Sequence, residues 1–325
     1  MSTPLLPRAG AVQLLLLLVG VDAQCKTFQA GLCEGPADCM CTMGDTCAAS
    51  KGEDTVAQVT AIGSCPGQCR KVVHNQCSGS SSCLLDVGPC DGPGCPSSTI
   101  VTVGGVAVQR LDGDASAFFW SSGLECDADG APNAYNPQDT GIDYLANAGH
   151  PGNWWGIATD AAGTPYTQGS YPRSSYAVYP GYYVSTTSLE DARFPRYDVR
   201  RYVNSVNISF VVLPTGSFMT TTHAKLGDVC FVYNGANNHS SYALVADTGP
   251  STQIGEGSVA LHFALGHNPL NSQGRVSSGI DSGVHTLCFA GSSEGAVGSQ
   301  VEVDAHGSAL FDAWGGMARF EECIL

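Results

Sequence analysis

Beyond about residue 96 the chain alternates short apolar runs with clusters of glycine, asparagine and serine, and only one run has helical spacing. Thr99 to Val103 and Val106 to Gln109 flank Gly104-Gly105, a pattern that predicts a β-hairpin. Phe118 to Ser121, Gly181 to Ser188, Ile208 to Leu213, Asp228 to Tyr233, Tyr242 to Ala246 and Val284 to Ala290 are the other strand candidates. Asn234-Gly235 predicts a turn ahead of the strand that leads to Asp247. Glu256 to Leu265, closed by Gly266, has the spacing of a short helix. With 40 glycines in 325 residues, this pattern predicts an all-β, barrel-like domain with one short helix over residues 96–325. That length suffices for one sizeable core.

The first third of the chain reads differently. Met1 to Ala23 combines Arg8, an apolar stretch from Ala11 to Val19 and a small-residue end, the anatomy of a signal peptide, and the stretch is too short for a membrane span. Of 15 cysteines, 11 lie between Cys25 and Cys95, and the rest are Cys126, Cys230, Cys288 and Cys323. A cysteine-rich module over residues 24–95, held by disulfides in an oxidising extracellular compartment, follows from that density. Zinc competes through the close spacings at Cys39-Met-Cys41 and Cys65-Pro-Gly-Gln-Cys69, but there is no matching pair of Cys-x-x-Cys knuckles. Cys230 and Cys288 fall on candidate neighbouring strands and are equally compatible with a disulfide or two buried thiols. The cluster Asp91 to Ser98 marks the linker. Asn207-Ile-Ser and Asn238-His-Ser are glycosylation sequons.

The most chemical stretch runs from Tyr242 to Leu265. An apolar strand delivers Asp247, a turn at Thr248-Gly249-Pro250 follows, and Glu256 opens the next element. Two carboxylates at one rim are what glycosidic cleavage needs, one to protonate the leaving oxygen and one to activate water or attack the sugar. The structural alternative is that Asp247 caps the turn and Glu256 complements a helix N-terminus. Asp127 and Asp129 in Glu125-Cys-Asp-Ala-Asp-Gly130 open like a calcium loop, yet the distal bidentate acid is missing, which favours a turn aimed at a cleft over a metal site. Asp143, in Gly-Ile-Asp-Tyr, is a lesser candidate of the same kind, expected by default to be solvated at the surface. Trp154 and Trp155 are candidates for stacking on sugar rings, one of the two facing ligand, because successive residues on a strand point to opposite faces.

These residues belong to a longer ordered pattern. Ser122-Gly-Leu-Glu-Cys-Asp-Ala-Asp-Gly-Ala-Pro-Asn-Ala-Tyr135, Gly141-Ile-Asp-Tyr-Leu-Ala-Asn-Ala-Gly149, Gly152-Asn-Trp-Trp-Gly-Ile-Ala158, Tyr183-Val-Ser-Thr-Thr-Ser-Leu189, Val211-Val-Leu-Pro214 and the Asp247 to Leu265 run together resemble the chitosanases of glycoside hydrolase family 75. The match is to a branch with a short loop between the two acids. The resemblance implies a barrel, Asp247 and Glu256 as the essential acids, Asp127 and Asp129 as substrate-binding or assisting groups, no cofactor, and an inverting, endo-acting hydrolysis of β-1,4 bonds in chitosan.

Charge fits that substrate. Residues 96–325 hold 21 Asp plus Glu against 9 Lys plus Arg, most of the whole chain's net charge of −15. An acidic field attracts polycations and disfavours nucleic acid and anionic membranes as partners. Chitosan with protonated amines, or a related cell-wall polysaccharide, is the expected partner, although acidity also serves plain solubility. Other catalytic classes lack their motifs: there is no Gly-x-Ser-x-Gly elbow, phosphate loop with lysine or His-Glu-x-x-His. His262 and His267, five apart, lack ligand spacing and are expected to be structural or solvated. The competing expectations are a non-catalytic glycan-binding protein on the same scaffold and a hydrolase of another glycan.

Overall fold

The computed structural model describes residues 95–170, 176–295 and 298–325, and five short strands within the first 94 residues. Those five are β1 (Phe28–Gln29), β2 (Leu32–Gly35), β3 (Thr46–Ala49), β4 (Thr55–Thr60) and β5 (Lys71–Val72), paired antiparallel as β1-β5 and β2-β4-β3. The signal peptide and the cysteine pairing expected between Cys25 and Cys90 lie outside the described residues. The chain divides into one compact unit of Met1–Pro96 with Ala318–Cys323 and a second of Ser97–Met317 with Ile324–Leu325. Cys95 is disulfide-bonded to Cys323. Among the described residues no helix is long and apolar enough to cross a membrane.

The second unit is built on a closed barrel of six strands: β8 (Ala117–Asp127), β15 (Ile280–Phe289), β12 (Val229–Asn234), β13 (His239–Gly249), β11 (Phe210–Pro214) and β14 (Glu256–Ser258), with β14 returning to β8. Two pairings, β11 with β13 and β14 with β8, are parallel. The predicted hairpin, β6 (Ser97–Val103) and β7 (Val106–Leu111), extends the sheet from β8 and turns through Gly104 and Gly105, both at positive φ, while β9 (Gly149–His150) and β10 (Asn153–Trp154) form a separate antiparallel pair.

Period-2 patterning sorts the walls. Phe118, Trp120 and Leu124 of β8 point inward with Val284 and Cys288 of β15, Cys230 and Val232 of β12, Ala243 and Val245 of β13, and Val211 and Leu213 of β11. Cys230 and Cys288 stand directly opposite one another on β12 and β15 and form a disulfide. Cys126 is a free thiol. The intervening residues Phe210, Val212, Val229, Leu244 and Ala246 face outward and are covered by Leu189, Val203 and Val303.

Three sequence expectations need correction. Gly181 to Ser188 is not a regular strand; it lies between the segments around Tyr166 to Gln168 and Gly156 to Ala158 and bonds to both, but the pairing stays at single bridges, Thr167 to Tyr183 and Ile157 to Ser185. Glu256 does not begin a helix: Glu256–Ser258 is strand β14, and helix α2 (Val259–Ala264) starts after Ser258, whose hydroxyl accepts the Leu261 N–H as an N-cap. The domain also has more than one helix, for besides α2 there are α1 (Ser217–Thr222), α3 (Gln300–Trp314) and α4 (Gly316–Cys323). A capping box between Ser299 and Glu302 starts α3, which sets Val303 and Phe311 into the outer face of the barrel.

Candidate active site

The site grows from an irregularity in the barrel wall. The register of β11 on β13 shifts between Val211 and Val212, so that Val211 pairs with Val245 but Val212 pairs with Asp247. Ala246 is thereby an extra residue, and this bulge leaves Asp247 on the outer face beside Val212 instead of inside the barrel. On its other side Val212 pairs with Glu256. Asp247 and Glu256 therefore flank one valine on the same wall, two strand spacings apart, which puts their backbones about 9.5 Å from each other. Glu256 pairs in turn with Glu125, and Ser258 with Asp127, so β8 brings its acids to the same surface.

The two acids are held differently. Asp247 Oδ1 accepts three hydrogen bonds, from the Ser188 N–H (3.0 Å), the Ser188 hydroxyl (2.6 Å) and the Thr248 N–H (2.7 Å). Burial raises its carboxyl above the usual range, and these three donors work in the opposite direction. Glu256 has no such compensation. Burial, followed by the charges of Asp247, Glu125 and Asp143, pushes it up to about 7. Glu256 is thus poised to exchange a proton near neutral pH, while Asp247 keeps Oδ2 free of those donors.

The loop after β8 supplies the other carboxyls. Asp127 Oδ1 accepts the Asp129 N–H at 2.7 Å and so fixes the turn. That turn needs Gly130, which has φ +79° and whose missing Cβ would lie 2.0 Å from the Val203 carbonyl oxygen. Burial and the neighbouring acids hold both Asp127 and Asp129 well above the ordinary carboxylate range. Asp129 lies over Gly156, where an added Cβ would come within 2.9 Å of both carboxylate oxygens. Tyr135, buried with Ala131, Ala134, Ala148 and Ile157, donates to Asp129 and also reaches Asp143. Cys126 lies among these acids, and burial and the charge of Asp127 raise its thiol, so it is no thiolate nucleophile.

The structure brings Asp127, Asp129, Asp143, Asp247 and Glu256 within one another's fields. It separates the two tryptophans. Trp154 packs partly buried against Tyr183, whereas Trp155 is 58% exposed and donates from Nε1 to the Asn147 carbonyl at 2.7 Å. His262 is fully buried with Nε2 at 3.1 Å from the Glu125 carbonyl, and burial lowers it to about 4, a structural histidine. The described residues contain no group of three or more His, Cys, Asp or Glu side chains arranged to hold a metal ion. Tyr135, Ser188 and Gly156 were not singled out from sequence; each acts through a carboxylate and none has a motif of its own.

The carboxylates lie largely buried along one edge of the barrel wall, with Asp247 8% exposed. Glu256 and Glu125 border a hollow of about 130 Å³ together with Gly104, Val106 and Thr252. Larger hollows lie elsewhere, and the one of about 700 Å³ is lined by Arg193, Arg200 and Arg201, whose guanidiniums are paired with Asp191, Asp198 and Glu190. Each of those guanidiniums has a carboxylate partner, and the acids of the rim are the stronger chemical feature. Compared with models of known protein families and with curated protein sequences, the chain matches none.

Proposed function

We propose that the chain is a secreted endo-chitosanase that hydrolyses β-1,4 glycosidic bonds by an inverting, two-carboxylate mechanism. The observation that carries the reading is the placement of Asp247 and Glu256 on either side of Val212 in opposite hydrogen-bonding environments. Glu256, poised to exchange a proton near neutrality, gives one to the glycosidic oxygen as that bond breaks. Asp247, its Oδ1 tied by Ser188 and Thr248, takes a proton through its other oxygen from the water that attacks the anomeric carbon from the opposite face. Inverting pairs stand about 6.5 to 9.5 Å apart with water between them, a separation that two strand spacings can provide.

Substrate choice follows from charge. A polymer of protonated glucosamine suits a rim of five carboxyls, with Asp127 and Asp129 binding ammonium groups and the exposed ring of Trp155 offering a face to a sugar. The leader sequence and the disulfides support an extracellular setting. Reducing-end release together with a fall in viscosity on soluble chitosan tests the reading. Binding of chitosan without either signal would make the protein a glycan-binding module instead.

A further inference from the structure

The phenol of Tyr135 stands between two carboxyls. Its oxygen is 2.6 Å from Asp129 Oδ1 and 3.1 Å from Asp143 Oδ2. One hydroxyl proton can serve only one of them. If both carboxyls were ionised, the second contact would set lone pair against lone pair, in a place where Tyr135 is 2% and Asp143 5% exposed. A proton on one carboxyl removes the conflict, because that carboxyl then donates to the phenol oxygen.

The geometry distinguishes the two. The Asp129 contact has the length of a hydroxyl donating to an ionised carboxylate, about 2.5 to 2.7 Å, and the Asp143 contact is longer. Asp143 Oδ1 is occupied as an acceptor by the Tyr144 N–H (2.7 Å) and the Asn147 side-chain amide (2.9 Å), so Oδ2 is its proton-bearing atom. We infer that Asp143 stands protonated and donates to Tyr135, which donates to Asp129, so that Asp129 is the ionised member and the anion that takes a substrate ammonium group. Tyr135 and Asp143 are then positioning residues, acting through Asp129.

The surrounding charges work against this order, which the hydrogen-bond geometry carries. Asp129 is faced by Asp247, Asp143, Glu256 and Asp127, all of which press it toward its neutral form, and the Tyr135 hydrogen bond opposes them. Ser185 lies a further 3.3 Å from the same oxygen. Asp143 is raised by burial, and its hydrogen bonds with Tyr144, Asn147 and Tyr135, followed by the guanidinium of Arg275, which is paired with Asp139, act against that. Cys126 also senses Asp143 and stays a neutral thiol.

The inference rests on the chitosan reading, and its test separates the two. Dissociation constants of a glucosamine hexamer and an N-acetylglucosamine hexamer are measured between pH 5 and 8 on the full chain carrying Glu256→Gln to stop turnover. Tyr135→Phe should weaken the amino hexamer about tenfold or more and leave the acetylated one unchanged, since it removes a hydrogen bond to a charged group. Asp143→Asn should bind like its parent, because an amide N–H can replace the carboxyl O–H, whereas Asp143→Leu, which cannot donate, should weaken the amino hexamer as Tyr135→Phe does. The leucine variant decides the matter if Tyr135→Phe fails to fold. Equal weakening by Asp143→Asn and Asp143→Leu would make Asp143 itself an anionic ligand and overturn the inference, as would undiminished binding by Tyr135→Phe. Absence of any preference for the amino hexamer in the parent would reject the cationic substrate, and the inference with it.

Discussion

Asp247 and Glu256 both stand opposite Val212, one on each side of β11, and it is the bulge at Ala246 that puts Asp247 there. Without that extra residue, strict alternation after Val245 and Ala246 would turn Asp247 into the barrel interior. A local register shift thus converts a strand-end aspartate into half of a carboxylate pair. The other half comes from a three-residue strand that also closes the barrel onto β8. Closure and site are one construction, which ties both acids to the barrel wall.

Stability should depend on pH through Glu256. Its folded-state value, about 7, lies above its ordinary 4.5, so its contribution is complete below the ordinary carboxyl range and is lost as pH rises through about 7. Asp127, Asp129 and Asp143 are raised as well and act in the same sense. Thermal unfolding should therefore occur at a higher temperature at pH 5 than at pH 8, and Glu256→Gln should shrink the difference by up to about 3 kcal/mol. Identical pH slopes for parent and variant would show that Glu256 titrates normally.

Gly156→Ala should reduce activity more than stability. The new methyl would press on both oxygens of Asp129, and on the Ala148 Cα at 3.1 Å, so the carboxylate must swing away from the Tyr135 hydroxyl. We expect kcat/KM on chitosan to fall about tenfold, the loss of one hydrogen bond to a charged group. Unchanged kcat/KM with a native melting temperature would remove Asp129 from the site.

The Cys230–Cys288 disulfide joins neighbouring strands whose cysteines are 58 residues apart in sequence. On a chain-entropy estimate, opening such a loop in the unfolded state costs about 4 kcal/mol of stability. Cys230→Ala with Cys288→Ala should lower the denaturant midpoint accordingly while sparing chitosan hydrolysis, because both cysteines point inward and the carboxylates outward. Loss of activity in a folded variant would contradict that separation of core from site.

Much of the barrel is legible in the sequence because its strands are short apolar runs, buried on both faces and bounded by turn residues. Phe118 with Trp120, Cys230 with Val232 and Ala243 with Val245 each mark one face, and Gly104-Gly105 marks the hairpin turn. Ser299 and Glu302 also carry a capping signal for α3, but the helix behind it is interrupted by His306, Gly307 and Ser308 and has no clean apolar stripe. Gly181 to Ser188 shows the converse: its spacing suits a strand, but its pairing stops at single bridges to neighbours that only the tertiary fold supplies. At the site, Asp247 and Glu256 are visible as acids on either side of a turn. The bulge is not, since nothing in Val245-Ala-Asp247 specifies a register shift. Nor is Tyr135, whose part depends on two carboxyls that meet it only in space.

On the proposed reading, the acidic rim should make hydrolysis sensitive to the charge of the polysaccharide. Activity on chitosan is expected to fall as salt rises, because screening shortens the field to about 8 Å at physiological ionic strength, and to fall as N-acetylation increases. Asp127→Asn and Asp129→Asn should weaken binding of glucosamine oligomers more than of N-acetylated ones. Rates that are equal on chitosan and chitin oligomers, and independent of salt, would point to another glycan.

The most direct test of the account is the initial rate of reducing-end release from chitosan by the parent chain, by Glu256→Gln and by Asp247→Asn, each checked for a native melting curve. Both substitutions keep the shape of the side chain and remove its ionisation, and loss of a general acid or base costs about 10² to 10⁴ in rate. The account predicts an active parent and two folded variants, each slower by that factor. A folded variant that retains the parent's rate, or a parent with no hydrolysis at all, would contradict it.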